Sequence, residues 1–415
     1  MKRTAVALLG LGMAAAAAVH AQDGPLDTLD EALSLSGFQD AWRLHLSGTA
    51  EVEGYVFPAP APGLIAASGD SLFAPRVTLF ADAQAGDHVY FFAQTRLDRG
   101  FDPGPGGLRF RADEYALRII PGDGRRFSLQ AGKFATVVGN WTARHDSWAN
   151  PFITAPLPYE NLTGIWDAAA ARTGQTLLSW AHLRPFPPAD LDAAKKLRLP
   201  IIWGPSYAAG ASASGAVGGF SYAVEVKNTG LSSRPETWQP TQTTWEHPAY
   251  SGRIAFRPNE LWFFGVSASE GPYLRDSAAR TVPAGRSFDA YRETVFGQDV
   301  LLAWHHFQAW AEVFEARFAV PGVANADVLS YYLEAKYKFT PQLFGAVRWN
   351  QQIYGEIPVA GLMTSWGADA WRLDVAPTYR ITAHVQTKLQ YSLQHGNAPS
   401  RPLGHTLAAQ ATLRF

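Results

Sequence analysis

The chain has 415 residues, of which 35 are Lys or Arg and 36 are Asp or Glu, and it contains no cysteine. A formal charge of −1 with no basic excess argues against a nucleic-acid partner, and the missing thiols exclude a disulfide framework and thiolate metal sites. Aromatic residues make up 13% of the chain, including 14 Trp, a surplus that suits a protein with two membrane–water interfaces to line.

Lys2 and Arg3 precede an apolar run from Ala5 to Ala18, followed by a small-residue cleavage site at Ala21. This is the pattern of a secretory signal peptide over residues 1–21, read by Sec-type export, since a membrane anchor would need about 20 apolar residues. Its removal takes two of the 35 basic residues and none of the 36 acidic ones, giving a mature charge of −3. Residues 22–41 read as a periplasmic leader with one short amphipathic helix around Leu26 to Leu35. Beyond Gln22 no apolar run approaches transmembrane-helix length, so a membrane-spanning unit over residues 42–415 must be built from strands.

From Trp42 onward apolar and polar residues alternate with period 2. Val77, Leu79, Ala81 and Ala83 oppose Arg76, Thr78, Asp82 and Gln84; after Gly86-Asp87, Val89, Phe91, Ala93 and Leu97 oppose Tyr90, Gln94 and Arg96. Short turns are expected at 121–124, 172–175, 215–219, 258–260, 305–306, 340–342 and 382–383. Longer connections lie near 57–70, 99–107, 135–163, 185–205, 229–248, 271–292, 318–326, 353–368 and 395–403. Short and long connections alternate, as in bacterial transmembrane barrels with periplasmic turns and extracellular loops. They delimit about 18 strands, an all-β antiparallel barrel. The segments 164–171 and 176–184 are the weakest, and dropping both gives about 16 strands with closure preserved.

Phe127, Phe220, Phe256, Trp262, Trp304, Phe307, Phe339, Tyr379 and Phe415 all fall beside short turns or the C-terminus, mostly on the apolar face. A soluble sandwich or propeller has no reason to gather its aromatics at one end of every strand. The last residues, with Leu407, Ala409, Ala411, Leu413 and Phe415 on one face, resemble the closing strand of Gram-negative outer-membrane β-barrels. That resemblance implies recognition by the barrel assembly machinery and a home among outer-membrane lipid and lipopolysaccharide.

The opposite face then lines a lumen. Its charged candidates are Arg76, Asp82, Arg96, Glu114, Arg118, Arg253, Arg257, Glu312, Arg348, Arg372 and Lys388, with Lys133 added if a bulge at Gly132 turns it inward. Charges at this density must be hydrated or paired, and a barrel of this size leaves an aqueous channel. Passive diffusion of small hydrophilic solutes, ions included, is the simplest function. The slight basic excess would favour anions, whereas pairing across the wall would make the same residues merely structural.

The third long connection, 135–163, supplies constriction candidates Trp141, Arg144, His145, Asp146, Trp148, Tyr159 and Glu160. The stretch Leu129–Phe134 before it resembles the LxxGKF strand end of the phosphate-selective porin family (porin O and P), in which a loop at this place folds into the pore. No lysine cluster matches that family's phosphate ring, so phosphate specificity is not implied. No catalytic residue, metal ligand or cofactor is assigned. A scaffold or adhesin with partner-binding outer loops and a barrel-embedded hydrolase remain alternatives. Trp238 and Trp245 could anchor a partner or stack on sugar rings; both monomer and homotrimer fit.

Overall fold

The computed structural model describes residues 25–37, 41–58, 61–65, 67, 69–98, 108–122, 126–182, 195–396 and 403–415, so the expected signal peptide 1–21 lies outside them. The first elements are a helix α1 (Pro25–Ala32) and a short strand β1 (Ser34–Gly37). The helix is thus shorter than the expected Leu26–Leu35, and its last turn is replaced by extended chain. β1 lies antiparallel to β2 (Trp42–Val56), pairing Ser34 with His45 and Gly37 with Trp42.

The barrel continues through β3 (Ser71–Ala85), β4 (Val89–Asp98), β5 (Arg109–Ile119), β6 (Ser128–Lys133), β7 (Ala209–Val217), β8 (Phe220–Lys227) and β9 (Ala249–Phe256). Then come β10 (Trp262–Pro272), β11 (Arg292–Trp304), β12 (Phe307–Val320), β13 (Ala324–Lys338) and β14 (Leu343–Tyr354). An outer hairpin of β15 (Glu356–Val359) and β16 (Leu362–Ser365) stands apart from the wall, which resumes with β17 (Ala370–Arg380), β18 (Val385–His395) and β19 (Gly404–Arg414). Each wall strand is antiparallel to its neighbours, and β19 closes on β2, from Leu407 opposite Val56 to Arg414 opposite Thr49.

The closed wall therefore has sixteen strands with β1 as an extra one, and the main expectation of 18 is corrected to its alternative. Residues 164–171 are not a strand, and the stretch expected as strand 176–184 begins as a helix, α3 (Gly174–Ala181). Thr173 caps it, accepting from the Thr176 N–H at 3.1 Å where a short turn was expected. A short apolar run such as Leu177-Leu178 reads alike as strand or helix, and the cap decides it. The outer connection expected over 318–326 is only a tight turn, Pro321 to Val323.

Alternation along the wall separates two environments. Leu79, Phe91, Leu117, Ile254, Phe264 and Val347 are exposed on the outside, while Glu51, Gln94, Ser267, Glu312, Arg348 and Gln390 are buried on the inside. An apolar band of this extent has to face lipid. Of the nine expected aromatics, Phe127, Phe220, Phe256, Trp262, Trp304, Phe339 and Tyr379 are exposed at one rim of this band, while Phe307 and Phe415 are half-buried. β2 extends beyond β19, and β1 pairs with that surplus edge: Leu46 N–H donates to Leu33 O, and two residues on Gly48 exchanges hydrogen bonds with Phe415. The terminal Phe and β1 thus cover consecutive parts of an edge that would otherwise be open.

Two local irregularities matter for the interior. Between β4 and β5 the register shifts at Gln94/Thr95, so that Asp113 is an extra residue between Ala112 and Glu114. At the end of β6, Gly132 has φ 145°, a region that L side chains rarely adopt, and an added Cβ would collide with the Tyr115 carbonyl oxygen. Gly132→Ala is expected to leave little folded barrel, read as loss of the heat-modifiable band on unheated gels; a wild-type level of that band would refute it.

Candidate pore and constriction

The wall encloses the described residues of the connection between β6 and β7, 134–182 and 195–208, a connection that contains and outgrows the expected loop 135–163. Instead of leaving the barrel after Lys133, this loop crosses the lumen and is bonded to the wall along its course. Thr136 Oγ1 donates to Glu225 of β8 at 2.6 Å, and Asn140 Nδ2 donates to Asp299 of β11 at 3.1 Å. The Asn140 N–H and the Tyr159 hydroxyl both donate to Glu312 of β12, the latter at 2.9 Å. Arg144 reaches β13, donating to Glu334 at 2.5 Å and to the Tyr332 hydroxyl at 2.9 Å, over the Trp310 ring.

Further on the loop descends towards the periplasmic end. Trp148 lies beneath the guanidinium of Arg414, 4.2 Å from its centroid, with Arg380 on the same ring. Lys388 donates to the carbonyls of Ser147 and Asn150, and Gln390 accepts from Ile153 N–H at 2.6 Å. The chain then rises through a single turn, α2 (Leu157–Glu160). There Arg348 donates to Thr154 O at 3.0 Å and Ala155 O at 3.2 Å, while Arg372 holds Ala155 O and Glu160. Both guanidiniums also bond Asp374, which accepts from Ser392 and Asn350 as well. Arg348, Glu334 and Asp374 are fully buried, which is tolerable because each is paired. The upper loop packs an apolar core inside the barrel, with Leu177, Leu199, Ile201, Ile202 and Trp203 against Phe314, Phe318 and Tyr332 of the wall.

Arg348, Arg372, Lys388, Glu312 and Arg144 thus grip the loop. The remaining candidates fall differently. Arg253 pairs with Asp299 at 2.6 Å, Arg118 donates to Gln130, Asp82 accepts from the Tyr90 hydroxyl, and Glu114 accepts from Ala135 N–H. Arg257 lies past the end of β9, exposed, with its guanidinium over Phe263. The pairing of β6 with β5 and β7 runs through Gly132 without a register shift, so the expected bulge is absent there, yet Lys133 is 2% exposed and donates to Ala112 O at 2.7 Å.

On the other side of the loop a cavity of about 200 Å³ remains along the inner face of β2, β3 and β4. Its lining follows β3 from Leu72 to Phe80, roughly 26 Å at ~3.3 Å per residue, and includes Trp141, His145, Asp146, Tyr159 and Glu160 from the loop. Five carboxylates, Glu51, Glu53, Asp98, Asp146 and Glu160, face two guanidiniums, Arg76 and Arg96. Arg76 sits among three of them, 3.1 Å from Glu51 and Glu53 and 3.3 Å from Asp98. Arg96 pairs with Asp113 at 3.2 Å, and Arg111 bridges Asp98 and Asp113.

His145 Nδ1 donates to Thr142 O at 2.6 Å and its Nε2 accepts from the Tyr207 hydroxyl, while Asp146 accepts the N–H groups of Trp148 and Ala149. Neighbours in sequence, they form no pair with each other. Burial, helped by the Arg96 guanidinium, holds the His145 pKa below its usual value, so the ring is neutral at pH 7. Arg111 and Asp113 were absent from the sequence candidates: strict alternation back from Glu114 puts them on the lipid side, and only the extra residue in β5 brings them inside. Polar residues at two successive odd positions, against apolar Leu117 and Ile119, were the available signal.

No family model matches this chain, and no curated protein matches its sequence. Among solved structures it is similar to the OmpF complex of Salmonella typhi, with TM-score 0.56, 12% identity, and 92% of this chain and 100% of that one covered. OmpT, an outer membrane protein of Vibrio cholerae, gives TM-score 0.54 at 8% identity over 92% and 100% of the two chains. An anion-selective porin from Comamonas acidovorans gives TM-score 0.52 at 11% identity over 90% and 100%. At these identities the likeness is one of fold: the chain has the architecture of a porin-type outer-membrane barrel.

Proposed function

We propose that the protein is a passive outer-membrane channel for small hydrophilic solutes, and that its conducting path is the cavity along β2 to β4 with a preference for cations. The supporting observation is the lining of that cavity, five carboxylates against two guanidiniums. The basic excess that favoured anions in the sequence includes Arg348, Arg372 and Lys388, whose charges are spent on the loop and do not line the path. Planar-bilayer recording in a salt gradient tests the reading: discrete steps with a reversal potential of cation sign are expected, and an absence of steps, or the opposite sign, would overturn it. The resemblance of Leu129–Phe134 to phosphate-selective porins lends no phosphate specificity, since no lysine lines the cavity.

Delivery follows from the two ends of the chain. On this reading the segment 1–21 directs Sec-type export, residues 22–41 stay in the periplasm, and Leu407, Ala409, Ala411, Leu413 and Phe415 present the assembly signal of a Gram-negative barrel that settles among lipid and lipopolysaccharide, as a monomer or homotrimer. Deleting Phe415 removes both the terminal aromatic and its backbone pairing with Gly48. Its expected result is at least a tenfold drop in barrel recovered from outer-membrane fractions; unchanged recovery would count against an assembly role.

A further inference from the structure

A second cavity, of about 330 Å³, opens between the outer connections 228–248 and 273–291, with Asp167 of the lumen loop also in its lining. It is at the small end of ligand pockets, which run roughly 300–1,000 Å³. Its charges are mostly paired internally: Asp167 is gripped by Arg234 and, at 3.1 Å, by Arg275, Arg275 also donates to Glu236 at 2.7 Å, and Asp276 leaves one carboxylate more than the two guanidiniums. That surplus disfavours an anion, and a bound cation would still meet the two guanidiniums.

The rest of the lining is amide and hydroxyl groups, the apolar Pro272 and Leu274, the rings of His247 and Tyr273, and the exposed face of Trp245. Gln242, Thr243 and Thr244 lead to Trp245, which is 40% exposed and held in a left-handed backbone conformation, φ 62°, with its indole N–H donating to Pro240 O at 3.0 Å. Such a conformation is costly for a bulky residue and persists where the surroundings hold the side chain in place. Below it, Asn228 donates to Thr237 O and Gln239 O, yet its Oδ1, like the hydroxyl of buried Thr229, has no hydrogen-bond partner among the described residues. An apolar ligand would strip water from Gln242 and Thr244, which are exposed in the cleft, without replacing its hydrogen bonds. A compact ring with apolar C–H faces and a rim of hydroxyls satisfies both kinds of surface.

We infer that this cleft binds a neutral mono- or disaccharide, its ring against Trp245 and its hydroxyls on the surrounding amides and hydroxyls. Placing the cleft outside the cell rests on the barrel orientation proposed above, but binding itself does not require conduction. Calorimetric titration of the full chain in a detergent without a sugar headgroup, with glucose, maltose and sucrose as probes and sodium succinate and choline chloride as charged controls, separates the two. A saturable signal with at least one sugar and none with the charged controls is expected. Trp245→Ala is expected to weaken it at least tenfold and Gln242→Ala several-fold, while Trp304→Ala at the opposite rim leaves it unchanged, all three keeping the heat-modifiable band of a folded barrel. No saturable signal with any of the three sugars, equal binding by folded Trp245→Ala, or preference for a charged control would overturn the inference. Should Trp245→Ala fail to fold, the Gln242→Ala titration decides by the same criterion.

Discussion

Replacing Arg348 and Arg372 together by alanine is expected to raise single-channel conductance several-fold. These two guanidiniums hold Thr154 O, Ala155 O and Glu160 of the lumen loop against β14 and β17. Without them Asp374 and Glu160 lose their counter-ions, while Glu334 keeps Arg144, and removing one partner of a buried ion pair costs about 3–5 kcal/mol. The wall itself is held by backbone pairing that these substitutions do not touch, from Leu343 opposite Tyr379 to Gln352 opposite Ala370. The loop is therefore the part that gives way, letting water and the carboxylates relax together. Conductance in planar bilayers, alongside new proteolytic cleavage within 140–205, is the readout. A folded double variant with unchanged conductance and the wild-type cleavage pattern would show that these residues do not hold the constriction.

The Glu51→Gln, Glu53→Gln double variant is expected to lose most of the cation preference. Both carboxylates lie beside Arg76, and both are also fixed by neutral donors, Glu51 by Ser147 at 2.6 Å and Glu53 by Tyr55 at 2.7 Å and Gln410 at 2.8 Å. Gln keeps the side-chain length while removing the charge, so Arg76 is left facing Asp98 alone among its three carboxylates. A unit charge about 6 Å from a permeating ion in a water-like medium is worth roughly 0.7 kcal/mol, so two charges correspond to about a tenfold change in permeability ratio. The change should be larger in dilute salt, where screening is weaker. Reversal potentials at two salt gradients measure it, and an unchanged ratio would place the ion path elsewhere.

The period-2 pattern carried most of the architecture because every wall strand has lipid on one side and water or charge on the other. Val77, Leu79, Ala81 and Ala83 are on the outside of β3, and Arg76 and Thr78 inside. Turn chemistry was equally local, as at Gly86-Asp87 and His305-His306. Where one side of a strand ceased to be lipid, the reading failed. Residues 164–182 lie in a loop surrounded by protein, so Leu177 and Leu178 are apolar for the same reason as a strand residue, and the count of 18 included two strands too many.

The pore chemistry divides along the same line. Sequence alone determined that the chain alternates, that it ends on an apolar-faced strand with Phe415, and that its inward face is charged, because each of these is a property of neighbours two residues apart. Only the tertiary structure decided which inward charges meet the passage: Arg348 and Arg372 are covered by the loop while Glu51 and Glu53 remain on the cavity, a distinction that depends on contacts between residues some two hundred positions apart. It also decided the parity of Arg111 and Asp113 and the inward turn of Lys133, since one extra residue in β5 and one glycine conformation at the end of β6 reverse the face of everything beyond them.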